Sequence, residues 1–405
     1  MIADDVTGAT DVAAALRRAG LRTLLSLTVD IGERVTDADA VVIGLKTRSA
    51  AMPDAVSQSL AALAALRRAG ADTYYLKYCS TFDSTAEGNI GPVTEALAAE
   101  LGVRLVVTTP GAPMHGRTVY RGHLFVGDDL LHETHMREHP ITPMLDSSVP
   151  RLLAPQVRGE VGMLPLETVR DGAPAVRSGM AAAESAGVAH LVIDAVSEQD
   201  LATVAEAVED AVLLAGSAGL IGAIALRGSG SGTAPQHPPK GRTAIIAGSC
   251  SRRTLEQIAR FHDSGQPSHR LVAQPGERAT DLVATALAWW DGQPDGASAL
   301  VYSSSAAEQR DARIPDAGAL YEEAAARIAV GLVERGVRRM VIAGGETSGA
   351  VVDALGVRTA VVGGEAAVGA PWIHEPALDL HLVLKSGNFG TPDLFVDVAE
   401  SGAVS

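Results

Sequence analysis

Between Lys77 and Val93 the chain reads Lys-Tyr-Cys-Ser-Thr-Phe-Asp-Ser-Thr-Ala-Glu-Gly-Asn-Ile-Gly-Pro-Val, which places an amine, a carboxylate and several hydroxyls in one short span. Asp83 could take a proton from a hydroxyl, and Lys77 supplies a positive charge beside it. Ser80, Thr81, Ser84, Thr85, Glu87 and Asn89 surround the pair, and Gly88 and Gly91 allow the backbone to turn tightly. Ser80, Ser84 and Thr85 also suit the capping of turns and of the helix that follows. Capping alone seldom collects Lys, Asp, Asn and two glycines in one loop, so the stretch is read as a ligand loop. A second acidic point lies in Ile2-Ala-Asp-Asp-Val-Thr-Gly-Ala-Thr-Asp11. Asp4 and Asp5 fall at a strand end and Thr7-Gly8 at a helix start. One aspartate would be enough for a cap, whereas two adjacent ones suit a metal ion or substrate hydroxyls.

Three glycine-rich turns mark the second half: Gly248-Ser-Cys-Ser-Arg-Arg-Thr-Leu-Glu256, Gly344-Gly-Glu-Thr-Ser-Gly349 and Lys385-Ser-Gly-Asn-Phe-Gly390. The first two open helices, whose unpaired N–H groups favour phosphate. Neither has the Gly-Lys-Ser/Thr of a P-loop or the glycine spacing of a dinucleotide fold. Lys385 could face a phosphate, although a lysine at a strand end is more often solvated. In the less regular 115–156 segment, Arg117, Arg121 and His123 are candidates for gripping a carboxylate. Surface charge is the alternative for Arg121. His132 and His135 have no partnering cysteines, which disfavours zinc there.

The elements that must position these residues follow from periodicity. Short apolar, β-branched runs at Leu24–Val29, Ala40–Leu45, Thr73–Tyr78, Arg104–Thr108, Val161–Pro165, His190–Ile193 and Ala211–Ala215 predict strands, with Ala/Leu-rich helices between them. Val12–Arg18 and Pro92–Leu101 are among the predicted helices, and Val119–Val126 has hairpin character. The pattern restarts with strands at Arg242–Ala247, Ala299–Ser303, Arg339–Ala343 and Leu380–Leu384. This alternation predicts an α/β protein: two α/β domains with mainly parallel sheets flanked by helices. In such sheets ligands sit outside the carboxyl ends of the strands, where the polar loops fall. Gly228-Ser-Gly-Ser-Gly-Thr-Ala-Pro-Gln-His-Pro-Pro239 is linker composition, giving domains at 1–228 and 242–405 with 229–241 between them. Met1 stands almost at the end of the first strand, where about five residues would be expected. A start further upstream, or a trimmed strand, is therefore anticipated.

Of the 405 residues 47% are hydrophobic and only 3% aromatic, so Ala, Val and Leu must fill the cores. The net charge of −15 argues against nucleic acid or an anionic membrane as partner. It also requires a local positive pocket for any anionic substrate. Two cysteines, Cys79 and Cys250, make neither a disulfide framework nor a metal cluster. With no signal peptide and no bilayer-spanning apolar run, a soluble cytoplasmic protein is expected.

With these motifs in place, the chain resembles the four-carbon acid sugar kinase family over essentially its whole length. The carrying stretches are IADDVTGATD at 2–11, KYCSTFDSTAEGNIGPV at 77–93, GSCSRRTLEQ at 248–257, GGETSG at 344–349 and KSGNFG at 385–390. Many members have a KxDSTLRGNxG form of the central motif, and Glu87 stands here where that form has arginine. This variant, with HGRTVYRGHLF at 115–125 and EHPITPMLDSS at 138–148, is similar to the 3-oxo-tetronate kinase branch. The resemblance implies ATP-dependent phosphorylation of the 4-hydroxyl of a 3-oxo-tetronate, by an N-terminal substrate domain and a C-terminal nucleotide domain. On that reading Gly345, Glu346, Thr347, Ser348 and Gly387 hold ATP, with Ser249 and Ser251 at its phosphates. Mg2+ would bridge the phosphates near Asp5 or Glu346. The sugar acid would meet Asp4, Thr7, Lys77, Ser80, Asn89, Arg117 and His123, with the carboxylate on Arg117 or Lys77. Asp83 is the first choice of general base and Asp5 the second. Domain closure across 228–241 would keep water out. The alternatives are a threonate or erythronate kinase, a nucleotide- and sugar-acid-binding regulator without turnover, and a sugar-acid lyase or epimerase. A homo-oligomer is left open.

Overall fold

The apolar runs become strands and the Ala-rich stretches helices in the computed structural model, which describes residues 1–31, 37–139, 142–228, 238–304 and 317–402. The chain divides into two units, Met1–Thr233 and Ala234–Ser405. Most of the expected linker, residues 229–237, lies outside the described residues, as do residues 140–141 of the 138–148 motif.

In the first unit the main sheet is built from β1 (Ile2–Ala3), β2 (Thr23–Ser26), β3 (Ala40–Gly44), β4 (Tyr74–Lys77), β5 (Val106–Thr109), β9 (Glu160–Leu164), β10 (Val188–Ile193) and β11 (Leu213–Gly216). Their order is β2-β3-β1-β4-β11-β5-β10-β9, and every pair is parallel. Between β5 and β9 the chain makes a small antiparallel sheet of β6 (Arg117–Tyr120), β7 (His123–Val126) and β8 (Asp129–Leu130). The hairpin expected at Val119–Val126 is therefore present, with a third strand added.

β1 is two residues long, yet it pairs with β3 on one side and β4 on the other. The helix after it, α1 (Val6–Arg18), starts six residues before the predicted Val12. The cause is local: Asp5 has extended backbone and its Oδ1 accepts from Gly8 N at 2.9 Å, which caps the helix at once. Helix α2 (Met52–Arg68) connects β3 to β4, and α3 (Ile90–Leu101) connects β4 to β5. The helix α8 (Ala218–Arg227) packs on α1, where Ala15 and Gly222 let the two backbones approach. Small residues here replace the missing aromatic bulk. Ile2, Ile43, Leu76 and Leu97 join one continuous buried core.

The second unit has the strand order β13-β14-β12-β15-β18-β17-β16, with β12 (Thr243–Ala247), β13 (Ser268–Arg270), β14 (Ala299–Tyr302), β15 (Arg339–Ala343), β16 (Thr359–Ala367), β17 (Ala370–Glu375) and β18 (Leu380–Lys385). From β13 to β18 the pairs are parallel. β16 and β17 form an antiparallel hairpin that continues antiparallel onto β18, which the sequence pattern did not indicate. Helices α9 (Arg252–Asp263) and α12 (Gly345–Leu355) follow β12 and β15 directly. The latter begins at Gly345, inside the Gly344–Gly349 stretch expected as the turn before it, because Gly344 at φ 127° turns the chain straight from strand to helix.

Candidate active site

Three adjacent parallel strands, β3, β1 and β4, end side by side, and their following loops bring the acidic residues together. After β1 come Asp4 and Asp5, after β3 comes Arg48, and after β4 the chain runs from Tyr78 to Asn89. The backbone stitches the three ends: Asp4 N donates to Lys77 O, and Thr47 N and Arg48 N both donate to Asp4 O.

Arg48 is the hub. Its Nε and Nη2 bond Asp4 at 2.9 and 2.8 Å, and Nη2 also reaches Asp5 Oδ1 at 2.7 Å. Nη1 lies 3.9 Å from Asp83 Oδ2. Asp5 is occupied on both oxygens, since Thr7 Oγ1 donates to Oδ2 at 2.7 Å while Gly8 N caps on Oδ1. Burial pushes the Asp5 carboxyl up, but Arg48, Lys77, Thr7 and Gly8 together outweigh it and hold the group below its ordinary value. The same carboxylates, against the cost of burial, hold the Arg48 guanidinium well above its ordinary value. Lys77 is 3% exposed. A Cβ on Gly8 would lie 2.3 Å from Asp5 Oδ1 and 2.7 Å from Lys77 Nζ, so only glycine lets these groups meet.

Asp83 differs from the other two carboxylates. Thr81 Oγ1 donates to its Oδ1 at 2.7 Å, while Oδ2 has Arg48 only at a distance. Phe82 and Asp83 are consecutive non-glycine residues with left-handed backbone, φ 64° and 41°. Such a pair is strained by of the order of 1–3 kcal/mol per residue and persists only where its surroundings over-determine it. Here Phe82 is 1% exposed and packs edge-on against Tyr78 at 5.6 Å, and Asp83 N donates to Thr81 O. Burial, reinforced by Asp83, pushes the Cys79 thiol up to about 12, so it stays protonated. A small pocket opens here among Asp4, Thr47, Arg48, Asp83, Ser84 and Asn89.

The other expected substrate residues take different places. Asn89 Nδ2 donates to Thr47 O and Ala50 O, each at 2.8 Å, which clamps the Arg48 loop, while its buried Oδ1 has no partner. Ser80 is half-buried in the same loop. Arg117 lies within electrostatic reach of Cys79, Asp11 and Asp83, and burial holds it below its ordinary value. Its Nη1 donates to His115 O, and its Nε is buried without a partner. His123 Nδ1 is 2.9 Å from Ser147 Oγ on the small sheet. Arg121 turns outward to Glu167, as the surface alternative anticipated. Arg48, in the polar Lys46-Thr-Arg-Ser49 segment after β3, was not among the expected site residues; an arginine in a loop at a strand end was the one local signal.

In the second unit three glycine-rich loops converge beyond the carboxyl ends of β12, β15 and β18, which are neighbours in the sheet. Gly248 N and Ser249 N donate to Ala343 O, and Gly344 N donates to Lys385 O. Ser251 caps α9, its Oγ accepting from Thr254 N at 3.2 Å, and Ser249 Oγ accepts from Ser251 N. A Cβ on Gly387 would stand 2.2 Å from Ser249 Oγ, and one on Gly248 2.2 Å from Thr347 Oγ1. The close approach leaves Gly345 and Glu346 exposed at the start of α12, whose first N–H groups are unpaired within the helix. The cradle suits an anion such as a nucleotide phosphate.

Two readings need correction. Ser348 is 0% exposed and its Oγ turns back toward Ile342 O at 3.5 Å, so it supports the loop from inside and does not line the cradle. Lys385 is neither solvated nor aimed at the cradle. Its Nζ is buried and donates to Thr254 Oγ1, Ser386 O and Gly387 O at 3.0–3.1 Å, tying the 385–390 loop to α9. Burial, then Arg253, lowers this amine to about 7. Among the described residues the 132–135 histidines form no metal-ligand group, and both cysteines are free. No helix is long and apolar enough to cross a membrane among the described residues.

Comparison with known proteins finds one family model in each unit. Residues 1–224 match a model described as a sugar-binding N-terminal domain, and residues 244–395 match one described as a nucleotide-binding C-terminal domain. The chain belongs to the four-carbon acid sugar kinase family. A 3-oxo-tetronate kinase of Cupriavidus necator is 43% identical over 97% of this chain and 94% of its own length. A 3-oxo-tetronate kinase of Salmonella typhimurium is 40% identical over 98% and 97%. Among solved structures, a Salmonella typhimurium LT2 protein superposes with a TM-score of 0.88 at 37% identity, covering 98% of this chain and 97% of its own. Haemophilus influenzae protein HI1011 gives 0.77 at 37% identity, covering 99% of each chain.

Proposed function

We propose that the protein is an ATP-dependent kinase that phosphorylates the 4-hydroxyl of a 3-oxo-tetronate, using the first unit for the sugar acid and the second for the nucleotide. Near-full-length relatives named for that activity support the reaction. The structural observation that carries the site is the free Oδ2 of Asp83 beside an Arg48 already committed to Asp4 and Asp5.

Phosphoryl transfer asks a protein mainly for positioning and charge compensation. Asp83 Oδ2 accepts the proton of the 4-hydroxyl as that oxygen attacks the γ-phosphorus, and the bond from the γ-phosphorus to the β,γ-bridging oxygen breaks to release ADP. Asp5, with both oxygens engaged, serves better to orient Arg48 and cap α1 than as the base. Arg117, with an unpartnered Nε, receives the substrate carboxylate, since Lys77 is already opposed by Asp4 and Asp5. Asn89 Oδ1, Thr7, Ser80 and His123 remain for the hydroxyl and keto oxygens. Gly345, Glu346 and Thr347 hold the nucleotide with Gly387, and Ser249 and Ser251 face its phosphates. Mg2+, when bound with ATP, neutralises phosphate charge, and Glu346 offers an exposed carboxylate for it.

The test is ADP release with Mg-ATP and each 3-oxo-tetronate, against threonate and erythronate, with the product located by phosphorus NMR. Turnover with the keto acids alone, giving a 4-phosphate, is the expected result. Turnover with the reduced acids would keep the kinase and discard the substrate, and ATP binding without ADP release would favour a regulator.

A further inference from the structure

We propose that His374, Asp379 and His381 form a transition-metal site of the zinc type at the turn of the β17–β18 hairpin. His374 and His381 are directly opposed partners in the antiparallel ladder, and their imidazoles stack 4.3 Å apart at 9°. Asp379 reaches in from the connecting turn, where its backbone is left-handed at φ 48°. One nitrogen or oxygen from each residue lies within 4.8 Å of those of the other two.

The spacing matches a metal better than a hydrogen bond. Two ligand atoms each about 2.1 Å from a tetrahedral ion stand about 3.4 Å apart, and Asp379 Oδ1 is 3.4 Å from His374 Nε2. That nitrogen is buried and makes no hydrogen bond, an orphaned group of the kind that wants a ligand. Because the rings stack nearly parallel, a shared ion would require one imidazole to tilt so that both lone pairs converge. Arg339 lies within electrostatic reach of His381. Its guanidinium is bonded elsewhere, to Thr243 Oγ1 and Pro239 O, and lies over the Trp372 ring.

Two imidazoles and one carboxylate, with a fourth position open to water, select Zn2+, Co2+ or Ni2+ over Mg2+, which prefers an all-oxygen shell. Place also separates the site from the nucleotide cradle. His381 precedes Lys385 by four residues, about 13 Å along an extended strand, and the 376–379 turn is at the other end of β18 from the glycine loops. A bound ion would pin the hairpin turn.

The experiment titrates metal-stripped, tag-free full chain with Co2+ alone, reading visible d–d absorption, and measures Zn2+ affinity by competition with a chromophoric chelator, without nucleotide. One equivalent is expected, with Zn2+ affinity falling at least about tenfold in His374→Gln and in His381→Gln. Asp379→Asn alters an exposed side chain that the fold does not need, so its weaker binding would separate ligation from misfolding. His132→Gln should bind as the parent does. Failure to take up either ion, uptake unchanged in the three hairpin variants, or loss of uptake in His132→Gln would each overturn the proposal.

Discussion

Arg48 grips Asp4 through two parallel hydrogen bonds, Nε to Oδ2 at 2.9 Å and Nη2 to Oδ1 at 2.8 Å. Because Nη2 also holds Asp5, one side chain aligns the ends of β1 and β3 and is shared by two carboxylates. Removing it leaves largely buried, uncompensated negative charge, a change that typically costs about 3 kcal/mol or more. Arg48→Ala should therefore unfold at lower denaturant and lose at least about a hundredfold in kcat/KM. Arg48→Lys should recover stability in part but little activity, since an ammonium cannot make the two-pronged contact. Urea unfolding with initial-rate kinetics on the same preparations checks both.

If Asp83 takes the 4-hydroxyl proton, Asp83→Asn should lower kcat by roughly 10²–10⁴-fold and leave the KM for ATP near the parent value. Its fold should be preserved, because the amide oxygen can still accept from Thr81. Asp5→Asn should behave differently, losing stability together with rate through its contacts to Arg48, Thr7 and Gly8. Near-parental turnover in Asp83→Asn would remove Asp83 from that role.

At Gly387 an added methyl would meet Ser249 Oγ at 2.2 Å and Ser251 Oγ at 2.9 Å. Gly387→Ala must displace the hydroxyls that hold Ser251 N and cap α9. ATP affinity, measured by direct titration, should weaken by about tenfold or more, while sugar-acid binding is unchanged. Equal loss of both would show that the cradle is not specific to the nucleotide.

Lys385 gives the protein a stability signature in pH. Its amine sits at about 7 in the fold against an ordinary 10.5, so between those values the unfolded chain binds the proton that the folded chain releases. Stability therefore rises with pH across this window, and below about 7 the cost of burying the charged amine is fully present. The difference in unfolding free energy between the parent and Lys385→Met should grow in the parent's favour from pH 7 to pH 10. A flat difference would mean that Lys385 titrates normally.

Much of this was legible in the chain. Val, Ile and Leu runs between polar turns located the parallel strands, and the loops after them held the acidic and glycine-rich chemistry. Local capping moved the boundaries: Asp5 starts α1 and Gly344 starts α12 earlier than periodicity alone suggests. The β16–β17 hairpin was hidden because Thr359–Ala367 carries two glycines and several alanines and lacks a clean alternation. Arg48 was hidden for a different reason. Its role depends on β3 lying next to β1, a long-range adjacency that spacing does not encode. Lys385 was misplaced because strand-end lysines usually reach water, and only the fold shows three acceptors closing around this one.

The left-handed pair Phe82–Asp83 sets stability and chemistry at odds. Glycine at position 83 would adopt φ 41° without the strain a side chain incurs, yet it would remove the carboxylate proposed as the base, whose Oδ2 lies 3.9 Å from Arg48. Selection for a more robust fold and selection for turnover pull in opposite directions there. A library screened for heat resistance alone should enrich glycine at this site and, with it, well-folded protein that no longer transfers phosphate.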